Sequence, residues 1–277
     1  MNGNFTPEQL CGIEHLALDL DGTIYKDGTL FDFTRPFLAK MTELGIGYTF
    51  LTNNSSRSAR DYRAHLRNLD LDVEADQIFT SGLATIEFLG ANYADVDALF
   101  ILGTESLRRE FSEAGFRVVD DPAADEPDAI VVGFDAELTY ERLCVAAYWI
   151  DQEKPFIATH PDTVCPTDRK TLLVDCGSIC ACLATATGRS PDTVLGKPHQ
   201  CMLEGILRRH QLESYQLAMV GDRLYTDIAM AKAADAIGVL VLTGEATAAD
   251  VESCPTPPDV VVPSLQELGQ FLLDAKQ

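Results

Sequence analysis

The stretch HLALDLDGTIY at 15–25 constrains the fold most, because an apolar run ends there abruptly in two acidic residues. Its length and apolar character predict a short buried strand that ends in a turn. Asp19 and Asp21 would then lie at the carboxyl end of that strand, where open α/β sheets bind their ligands. Two carboxylates so close together are costly unless a cation or a shared proton compensates them. Gly22 allows the backbone to turn tightly and a ligand to approach it closely.

These residues alone leave three interpretations to weigh. The first is a strand that ends in a polar turn, which is common for any single Asp-Gly pair. The second is a calcium loop that begins at Asp19, and its spacing fails: the glycine falls at the fourth position rather than the sixth, and the twelfth residue is Leu30 rather than a glutamate. The third is a phosphoryl-transfer site in which one carboxylate is a nucleophile and the other an acid and base. The rest of the chain decides between the first and the third.

Along the whole chain, short apolar runs alternate with helical patterns. This alternation predicts an α/β fold with a mainly parallel, doubly wound sheet. A further series of strands and helices in the middle of the chain predicts a second, smaller α/β domain. We therefore predict a discontinuous core at 1–82 and 191–277 with a cap domain inserted at 83–190. Within the core, Thr34 is expected to cap a helix, and a short strand is expected at 78–82.

Two further strands of the predicted core also end in polar groups. The strand at 47–52 ends at Thr52 and is followed by Asn53, and the strand at 217–221 is followed by Asp222. The polar loop after the first of these strands precedes a helix, so its hydroxyls and free backbone N–H groups would form an anion-binding site. The alternative at that place is a plain capping loop.

Lys197 at a helix start and Asp227 beyond Asp222 complete this set of polar groups. Alone, Lys197 would be a solvated lysine and Asp227 a helix N-cap. Strand ends on one edge of a doubly wound sheet can converge on one crevice, so we expect these groups to lie together. Hydrolysis of a phosphate ester needs an attacking carboxylate, Mg²⁺ to offset the repulsion between two anions, donors to the equatorial oxygens, and a neutral acid for the leaving oxygen.

The four polar motifs resemble those of the haloacid dehalogenase (HAD) superfamily of phosphatases, and they occur in the order typical of that family. They are DLDGT at 19–23, LTNNS at 51–55, GKP at 196–198 and GD-x4-DI at 221–228. The long insertion resembles the α/β cap of the NagD/p-nitrophenylphosphatase-like branch, as do VGFD-x2-LTY at 132–140 and ATHPD at 158–162. The resemblance spans nearly the whole chain. It implies a HAD-like Rossmannoid core, Mg²⁺ as cofactor, and phosphomonoester hydrolysis on a small metabolite such as a sugar phosphate or nucleotide.

The resemblance also implies a role for each core residue. Asp19 is expected to be the nucleophile, which forms an aspartyl-phosphate, and a ligand of the metal. Asp21 is expected to act as general acid and then base, and to bind the metal through its backbone carbonyl. Thr52 and Lys197 are expected to act on the transferring phosphoryl group. Gly22, Asn53 and Asn54 are expected to bind the substrate. Asp222 is expected to bind Mg²⁺ directly, and Asp227 is expected to support the metal site through its neighbours.

Other activities on the same motifs are less consistent with the sequence. In this superfamily an aspartate two positions after the nucleophile distinguishes phosphatases from dehalogenases, so dehalogenation is not expected. A phosphomutase shares the four motifs, but the cap type argues against it. A non-catalytic protein that binds a phosphometabolite, or a regulatory protein, is the alternative from another class. A pure binder would not need both the nucleophile and the acid.

Substrate choice is expected to come from the cap, because the core handles only the phosphoryl group. His160 and Asp162 are candidate substrate-facing residues, or else turn formers. The branch often has a Pro-Gly-x-Gly-Ser run before the cap helix, whereas this chain has VDCGS at 174–178. Asp175 would therefore either recognise a hydroxyl-rich or amine-bearing leaving group or cap the helix that begins near Gly177.

Composition limits the classes of partner. A formal net charge of -22 argues against nucleic acid or an anionic membrane as a partner. It does not exclude the small phosphorylated metabolite that the resemblance implies, because a local metal or lysine can override the global field. The sequence has no signal-peptide pattern and no apolar run of membrane-spanning length, so a cytoplasmic location is expected. Caps of this kind sometimes pair, so a homodimer stays open. Cys176, Cys180 and Cys182, with Cys165 upstream, lack the usual zinc spacing and are expected to be small buried residues.

Overall fold

The structure is a computed structural model that describes residues 10–26, 28–120, 125–167 and 170–276. The chain divides into two compact units. The first, which we call the six-stranded unit, consists of the chain up to Leu51, His65–Phe79 and the chain from Lys197 onward. The second, the five-stranded unit, consists of Thr52–Ala64 and Thr80–Gly196. The predicted core and cap boundaries stay predictions.

Strands and helices alternate along the described residues, which confirms the predicted α/β class. The strands are β1 (His15–Asp19), β2 (Tyr25–Lys26), β3 (Thr29–Leu30), β4 (Gly47–Thr52), β5 (Ile78–Thr80), β6 (Ala98–Leu102), β7 (Arg117–Val118), β8 (Ala129–Val132), β9 (Phe156–Ala158), β10 (Val164–Cys165), β11 (Leu173–Val174), β12 (Thr193–Val194), β13 (Leu217–Gly221), β14 (Ile237–Val241) and β15 (Val260–Val262). The helices are α1 (Thr34–Glu43), α2 (Ala59–Asn68), α3 (Ser81–Asn92), α4 (Glu105–Glu113), α5 (Tyr140–Asp151), α6 (Cys176–Thr187), α7 (Cys201–His210), α8 (Ala229–Ala233), α9 (Ala248–Ser253) and α10 (Leu265–Lys276).

The larger sheet has the strand order β15-β14-β13-β1-β4-β5. β1 pairs in parallel with β13 on one side and with β4 on the other, so that Asp19 is the register partner of Leu51. All residues of β1 and β13 are buried, as expected for central strands of a parallel sheet. The chain order reverses between β1 and β13. In open α/β sheets such a switch point, at the carboxyl ends of the strands, is where ligands bind.

The five-stranded unit is built on a second parallel sheet with the order β12-β9-β8-β6-β7. Its core combines buried residues of the central strands with apolar residues of α5 and α6. These residues are Phe100, Leu102, Ile130, Val132, Ala146, Ile150, Phe156, Ala158, Cys176, Ile179, Cys180 and Leu183. Two antiparallel hairpins, β2–β3 and β10–β11, complete the described strand pairings.

Local side-chain chemistry explains two helix starts that differ from the prediction. The expectation that Thr34 caps a helix is wrong: α1 begins at Thr34 itself, and the buried hydroxyl donates to the carbonyl of Ile24 at 2.7 Å. The strand expected at 78–82 ends at Thr80, because the Thr80 hydroxyl accepts from the Leu83 N–H and so caps α3.

The cysteines only partly match the expectation of small buried residues. Cys176 and Cys180 are buried on α6, whereas Cys182 is exposed and Cys165 is half-buried. The reason is helical periodicity, since positions 176 and 180 share one face of α6 and position 182 points away from it. All eight cysteines are free thiols. Within the described ranges, no helix is long and apolar enough to cross a membrane.

Candidate active site

In the six-stranded unit, β1 ends at Asp19 and a tight turn follows that carries Asp21. The Gly22 N–H donates to the carbonyl of Tyr25 at 2.8 Å, and Gly22 has a φ of 81°, which glycine adopts without steric cost. A Cβ at Gly22 would lie 2.5 Å from Asp222 Oδ2, so the turn backbone packs directly against that carboxylate. The Asp21 residue is exposed, and the Tyr25 hydroxyl donates to its Oδ2 across 3.5 Å.

Asp222 and Asp227 lie just beyond the end of β13. The Glu245 N–H donates to Asp222 Oδ2 at 2.7 Å, whereas Asp222 Oδ1 is buried and has no hydrogen-bond partner among the described residues. Asp227 is fully buried in a wide helical turn, Leu224–Ile228, and its Oδ2 accepts from the Arg223 N–H at 3.1 Å. Asp227 is therefore not the helix N-cap that its position alone allowed.

Lys197 brings a positive charge between two of these carboxylates. Its ammonium group donates to Asp227 Oδ1 at 2.8 Å and also to Asp19 Oδ1. Only 5% of Lys197 and 8% of Asp19 are exposed. This burial excludes a solvated lysine at a helix start. It also means that the three side chains depend on one another, because a buried charge without a partner is costly.

Burial and mutual repulsion set the charges of this cluster. Burial raises the pKa of Asp19 well above its ordinary value; Lys197 opposes the shift, and repulsion from Asp227 and Asp222 adds to it. Burial also raises the pKa of Asp222, again with a contribution from Asp227. Burial alone would lower the pKa of Lys197, but Asp19 and Asp227 outweigh it and raise the pKa above the ordinary lysine value. Partial desolvation raises the pKa of Asp21, although Lys197 and Arg223 oppose this.

The same carboxylates fit a divalent cation. Asp19, Asp222 and Asp227 each offer an oxygen, and these atoms lie within 4.8 Å of one another. Carboxylate oxygens are the ligands that Mg²⁺ and Ca²⁺ prefer. The buried and unpaired Asp222 Oδ1 is the atom that most needs such a partner, since an unsatisfied buried charge is costly. The Asp21 side chain is not part of this cluster, and the prediction that its backbone carbonyl binds metal stays a prediction.

The loop after β4 belongs to the five-stranded unit and is held by a dense set of hydrogen bonds. Thr52 Oγ1 accepts from the Asn54 N–H at 3.2 Å and lies 3.4 Å from the Tyr62 hydroxyl. Asn53 donates through Nδ2 to Asp162 Oδ2 at 3.1 Å. The Asn54 carbonyl oxygen of the side chain accepts from the Ser56 N–H at 3.0 Å. These bonds fix the backbone of the loop, which is a requirement for a loop that binds an anion through its N–H groups.

The predicted substrate-facing residues of the cap occupy buried or partly buried positions. His160 is fully buried, Asp175 is 2% exposed, and Asp162 is half-buried. Asp175 is the N-cap of α6, where its side chain accepts from the Cys176 N–H at 2.6 Å. The capping interpretation of Asp175 is thus confirmed, and the helix begins at Cys176, next to Gly177 as expected. A direct contact of these three residues with a substrate stays a prediction.

The loop after β14 also belongs to the site, and sequence reasoning missed it. This loop contacts the residues that follow β1 and those that follow β13. The Thr243 hydroxyl donates to the Gly22 carbonyl at 2.6 Å, and the Glu245 side chain pairs with Arg223 at 2.9 Å. A Cβ at Gly244 would overlap the Asp222 carboxylate. The signal was the run LTG at 242–244, since it places a hydroxyl and a glycine at the end of another parallel strand.

Comparison with known proteins identifies the family of this site. Residues 16–117 match the family model described as haloacid dehalogenase-like hydrolase, and residues 194–268 match the one described as HAD-hydrolase-like. An acid sugar phosphatase from Staphylococcus aureus is 30% identical over 250 residues, which cover 90% of this chain and 94% of that protein.

Solved structures agree with this assignment. A 4-nitrophenylphosphatase from Thermotoga maritima is 41% identical, with a TM-score of 0.89, and the match covers 95% of this chain and 98% of that one. A glycerol phosphate phosphatase from Mycobacterium tuberculosis in complex with magnesium is 32% identical, with a TM-score of 0.87, and the match covers 95% and 79% of the two chains.

The chain belongs to the haloacid dehalogenase-like hydrolases. The predicted NagD/p-nitrophenylphosphatase-like branch, the Rossmannoid fold and the enzyme class, a phosphomonoester hydrolase of this superfamily, are confirmed. The roles of individual residues stay predictions and are taken up next.

Proposed function

We propose that this chain is a Mg²⁺-dependent phosphatase that hydrolyses phosphomonoesters of small metabolites through a phosphorylated aspartate. One observation carries the proposal. A buried lysine lies between Asp19 and Asp227, and these two carboxylates lie with Asp222 close enough to share one cation. Such a cluster can offer a nucleophile while its own charge is compensated, which is the central need of a reaction between two anions.

The proposed reaction has two steps. An oxygen of Asp19 attacks phosphorus and forms a bond to it, while the bond between phosphorus and the leaving oxygen breaks. Asp21 gives its proton to that leaving oxygen, and the alcohol departs. Asp21 then takes a proton from a water molecule, whose oxygen attacks phosphorus, and the bond between phosphorus and Asp19 breaks to release inorganic phosphate. The direction of the shift supports this role, because a raised pKa lets the carboxyl of Asp21 keep its proton to higher pH than an ordinary aspartate does.

Asp19, Asp222 and Asp227 would hold Mg²⁺, together with the backbone carbonyl of Asp21. When bound, the ion would supply positive charge that lowers the repulsion between the phosphate and the nucleophile. Lys197 would stabilise charge on the transferring phosphoryl group and keep Asp19 ionised. Asp227 has a second function in this scheme, because its Oδ1 accepts from Lys197 and so orients the ammonium group.

Thr52 and Asn53 would hold the phosphoryl oxygens through a hydroxyl and a backbone N–H, with Gly22 and Asn54 as further parts of the binding loops. Leu51 is the register partner of Asp19, and Thr52 is the next residue of the chain. This position supports the assignment of Thr52 to the phosphoryl-binding loop. The fixed hydrogen bonding of the loop supports it further, since donors arranged before the reaction need no reorganisation during it.

Sugar phosphates and related polyol phosphates are the proposed substrates. The name of the relative from Staphylococcus aureus, an acid sugar phosphatase, and that of the neighbour from Mycobacterium tuberculosis, a glycerol phosphate phosphatase, support this class. Asp162 and Asp175 are the proposed acceptors for substrate hydroxyls. A cytoplasmic location and a homodimer stay predictions.

The test is phosphate release from a panel of phosphorylated metabolites, measured with Mg²⁺ and with EDTA. Wild type is compared with Asp19→Asn and with Asp95→Asn, a matched control at an exposed aspartate. We expect turnover that requires Mg²⁺, is lost in Asp19→Asn and is kept in Asp95→Asn. Turnover in Asp19→Asn would exclude the aspartyl-phosphate route. Absence of turnover with every substrate, in a folded protein that binds Mg²⁺, would favour a phosphometabolite-binding protein. Transfer of phosphate to a second hydroxyl of the substrate would favour a phosphomutase.

A further inference from the structure

The five-stranded unit buries a histidine that the proposed reaction does not use. His160 follows β9 and has no exposed surface. Its Nε2 lies 3.3 Å from Ser55 Oγ and 3.5 Å from Asp175 Oδ1, and its Nδ1 lies 3.5 Å from Asp162 Oδ2. Both ring nitrogens therefore face oxygen atoms, and two of the three oxygens belong to carboxylates. A neutral imidazole has only one N–H, whereas an imidazolium can donate from both nitrogens.

The groups around His160 favour its charged form. Asp162 and Asp175 face it from the segments before β10 and before α6, and the Cys176 thiol faces it from the first turn of α6. Burial alone would lower the pKa of His160, but the negative charges of the Cys176 thiolate and of the two carboxylates outweigh burial and raise it to about 9. Burial would raise the pKa of Cys176, but Cys180 and His160 in turn outweigh it and lower that pKa to about 6. The residues of these two neighbouring segments therefore favour the imidazolium form of His160 at neutral pH.

The same contacts lead directly to the loop after β4. Asp162 Oδ2, which faces His160, accepts the hydrogen bond from Asn53 Nδ2 at 3.1 Å. Ser55 Oγ, which faces the other ring nitrogen, accepts from the Phe134 N–H at 2.9 Å. Asn53 and Ser55 are 7% and 0% exposed, so neither can exchange its partner for bulk water. One imidazolium ring therefore holds two residues of the same short loop.

We propose that His160 is a positioning residue that holds the loop 52–56 in place, through Asp162 to Asn53 and directly through Ser55. The inference rests on the proposed function, in which Thr52 and Asn53 bind the phosphoryl group. His160 acts on the reaction only through these neighbours and does not touch the substrate. When it loses its proton, the contact between His160 Nδ1 and Asp162 Oδ2 is no longer an ion pair, and the loop is less firmly fixed.

The first measurement follows the charge of His160 itself and needs no substrate. The Cε1–H signals of the five histidines are followed by NMR between pH 6 and 10, and His160→Asn assigns the signal of His160. We expect that signal to titrate near pH 9. A ring that is already neutral at pH 7.5 would overturn the proposal.

The second measurement is the pH profile of kcat/KM for p-nitrophenyl phosphate with Mg²⁺. We expect wild type to lose on the order of 10-fold in kcat/KM as His160 titrates, because small displacements of positioned groups are costly to rate. His160→Asn should already be low at pH 7 and should lack this alkaline limb. Inhibition by inorganic phosphate should weaken with the same midpoint, since the product uses the same loop.

Two further variants separate positioning from simple destabilisation. Asp162→Asn should reproduce the low kcat/KM and shift the His160 titration to lower pH. Cys176→Ala should leave the connection to the loop in place but shift the His160 titration and the alkaline limb together to lower pH, because Cys176 contributes to the raised pKa of His160. His210→Asn, at an exposed histidine, is the matched control and should behave as wild type. A purely structural role would lower the melting temperature of His160→Asn but leave the alkaline limb where it is, and that result would overturn the proposal.

The Asp19→Asn variant is measured in the same assay, so that two failures can be told apart. If Asp19→Asn retains turnover, the proposed function fails. If it loses turnover while His160→Asn keeps the wild-type alkaline limb, only the positioning role of His160 fails.

Discussion

Replacement of Lys197 by methionine should destabilise the metal-free protein strongly, in a way that depends on pH. The side chain compensates two carboxylates, Asp19 and Asp227, which are 8% and 0% exposed. Removal of one partner of a buried ion pair leaves an uncompensated charge and costs about 3–5 kcal/mol. With about 2–4 °C per kcal/mol for chains of a similar size, the melting temperature should fall by about 6–20 °C.

The stability that Lys197→Met loses relative to wild type should grow as pH rises. Without the lysine, Asp19 and Asp227 repel each other in the folded state, so the folded chain binds a proton more tightly than the unfolded chain does. A group whose folded pKa is raised contributes stability that is lost as pH rises. The deficit of Lys197→Met relative to wild type should therefore be largest at pH 7 and above. It should shrink as pH falls toward the ordinary aspartate pKa of about 3.9.

The assay is thermal and urea unfolding of both proteins in EDTA at pH 5 and pH 7.5, repeated with Mg²⁺. Lys276→Met, at an exposed lysine of α10, is the matched control and should change little. Asp227→Asn in the Lys197→Met background should return part of the lost stability, because it removes one of the two repelling charges. Equal stability of Lys197→Met and wild type at pH 7.5, or a deficit that grows as pH falls, would refute the reasoning.

Three further predictions concern groups around the two sheets. Burial lowers the pKa of His15 to about 4, so the stability that neutral His15 contributes above pH 6.5 is lost as pH falls toward 4. In His15→Gln, the free energy of unfolding from urea melts should therefore change less over this pH range than in wild type. Burial raises the pKa of Glu110 to about 7, so the stability of the protein falls as pH rises from 4.5 to 7. At pH 8, Glu110→Gln should be more stable than wild type by on the order of 1–3 kcal/mol. Equal or lower stability of Glu110→Gln at pH 8 would contradict the raised pKa. Gly22→Ala should cost at least about 1–2 kcal/mol for its positive φ and should also weaken Mg²⁺ binding in a calorimetric titration, because its Cβ would displace the Asp222 carboxylate.

The part of the site that the sequence could predict lies at strand ends. Asp19 and Asp222 directly follow or end apolar runs that can only be buried strands, so the parallel register brings them to one edge of the sheet. Short spacing then fixes Asp21 and Asp227 near them. This is why four weak motifs, each open to a plain structural interpretation, together specified both the fold and its family.

The part that the sequence could not predict depends on contacts between distant segments. His160 and Ser55 are 105 positions apart, and Asn53 and Asp162 are 109 apart. No periodicity links such positions, because each belongs to a loop whose path is set by the packing of the sheet beneath it. The sequence therefore left His160 as either a substrate-facing residue or a turn former, and gave no sign that it is completely buried.

Each unit of this acidic chain buries a basic side chain between two carboxylates, Lys197 in one and His160 in the other. The two side chains differ in the pH at which they lose their positive charge. Lys197 has its pKa raised above an already high value, so its charge in the six-stranded unit is constant at any physiological pH. His160 has a pKa raised to about 9, so its charge can be removed under mildly alkaline conditions. Since Lys197 neutralises the proposed nucleophile and His160 holds the proposed phosphoryl-binding loop, alkaline pH should first weaken the binding of the phosphoryl group and leave the nucleophile intact.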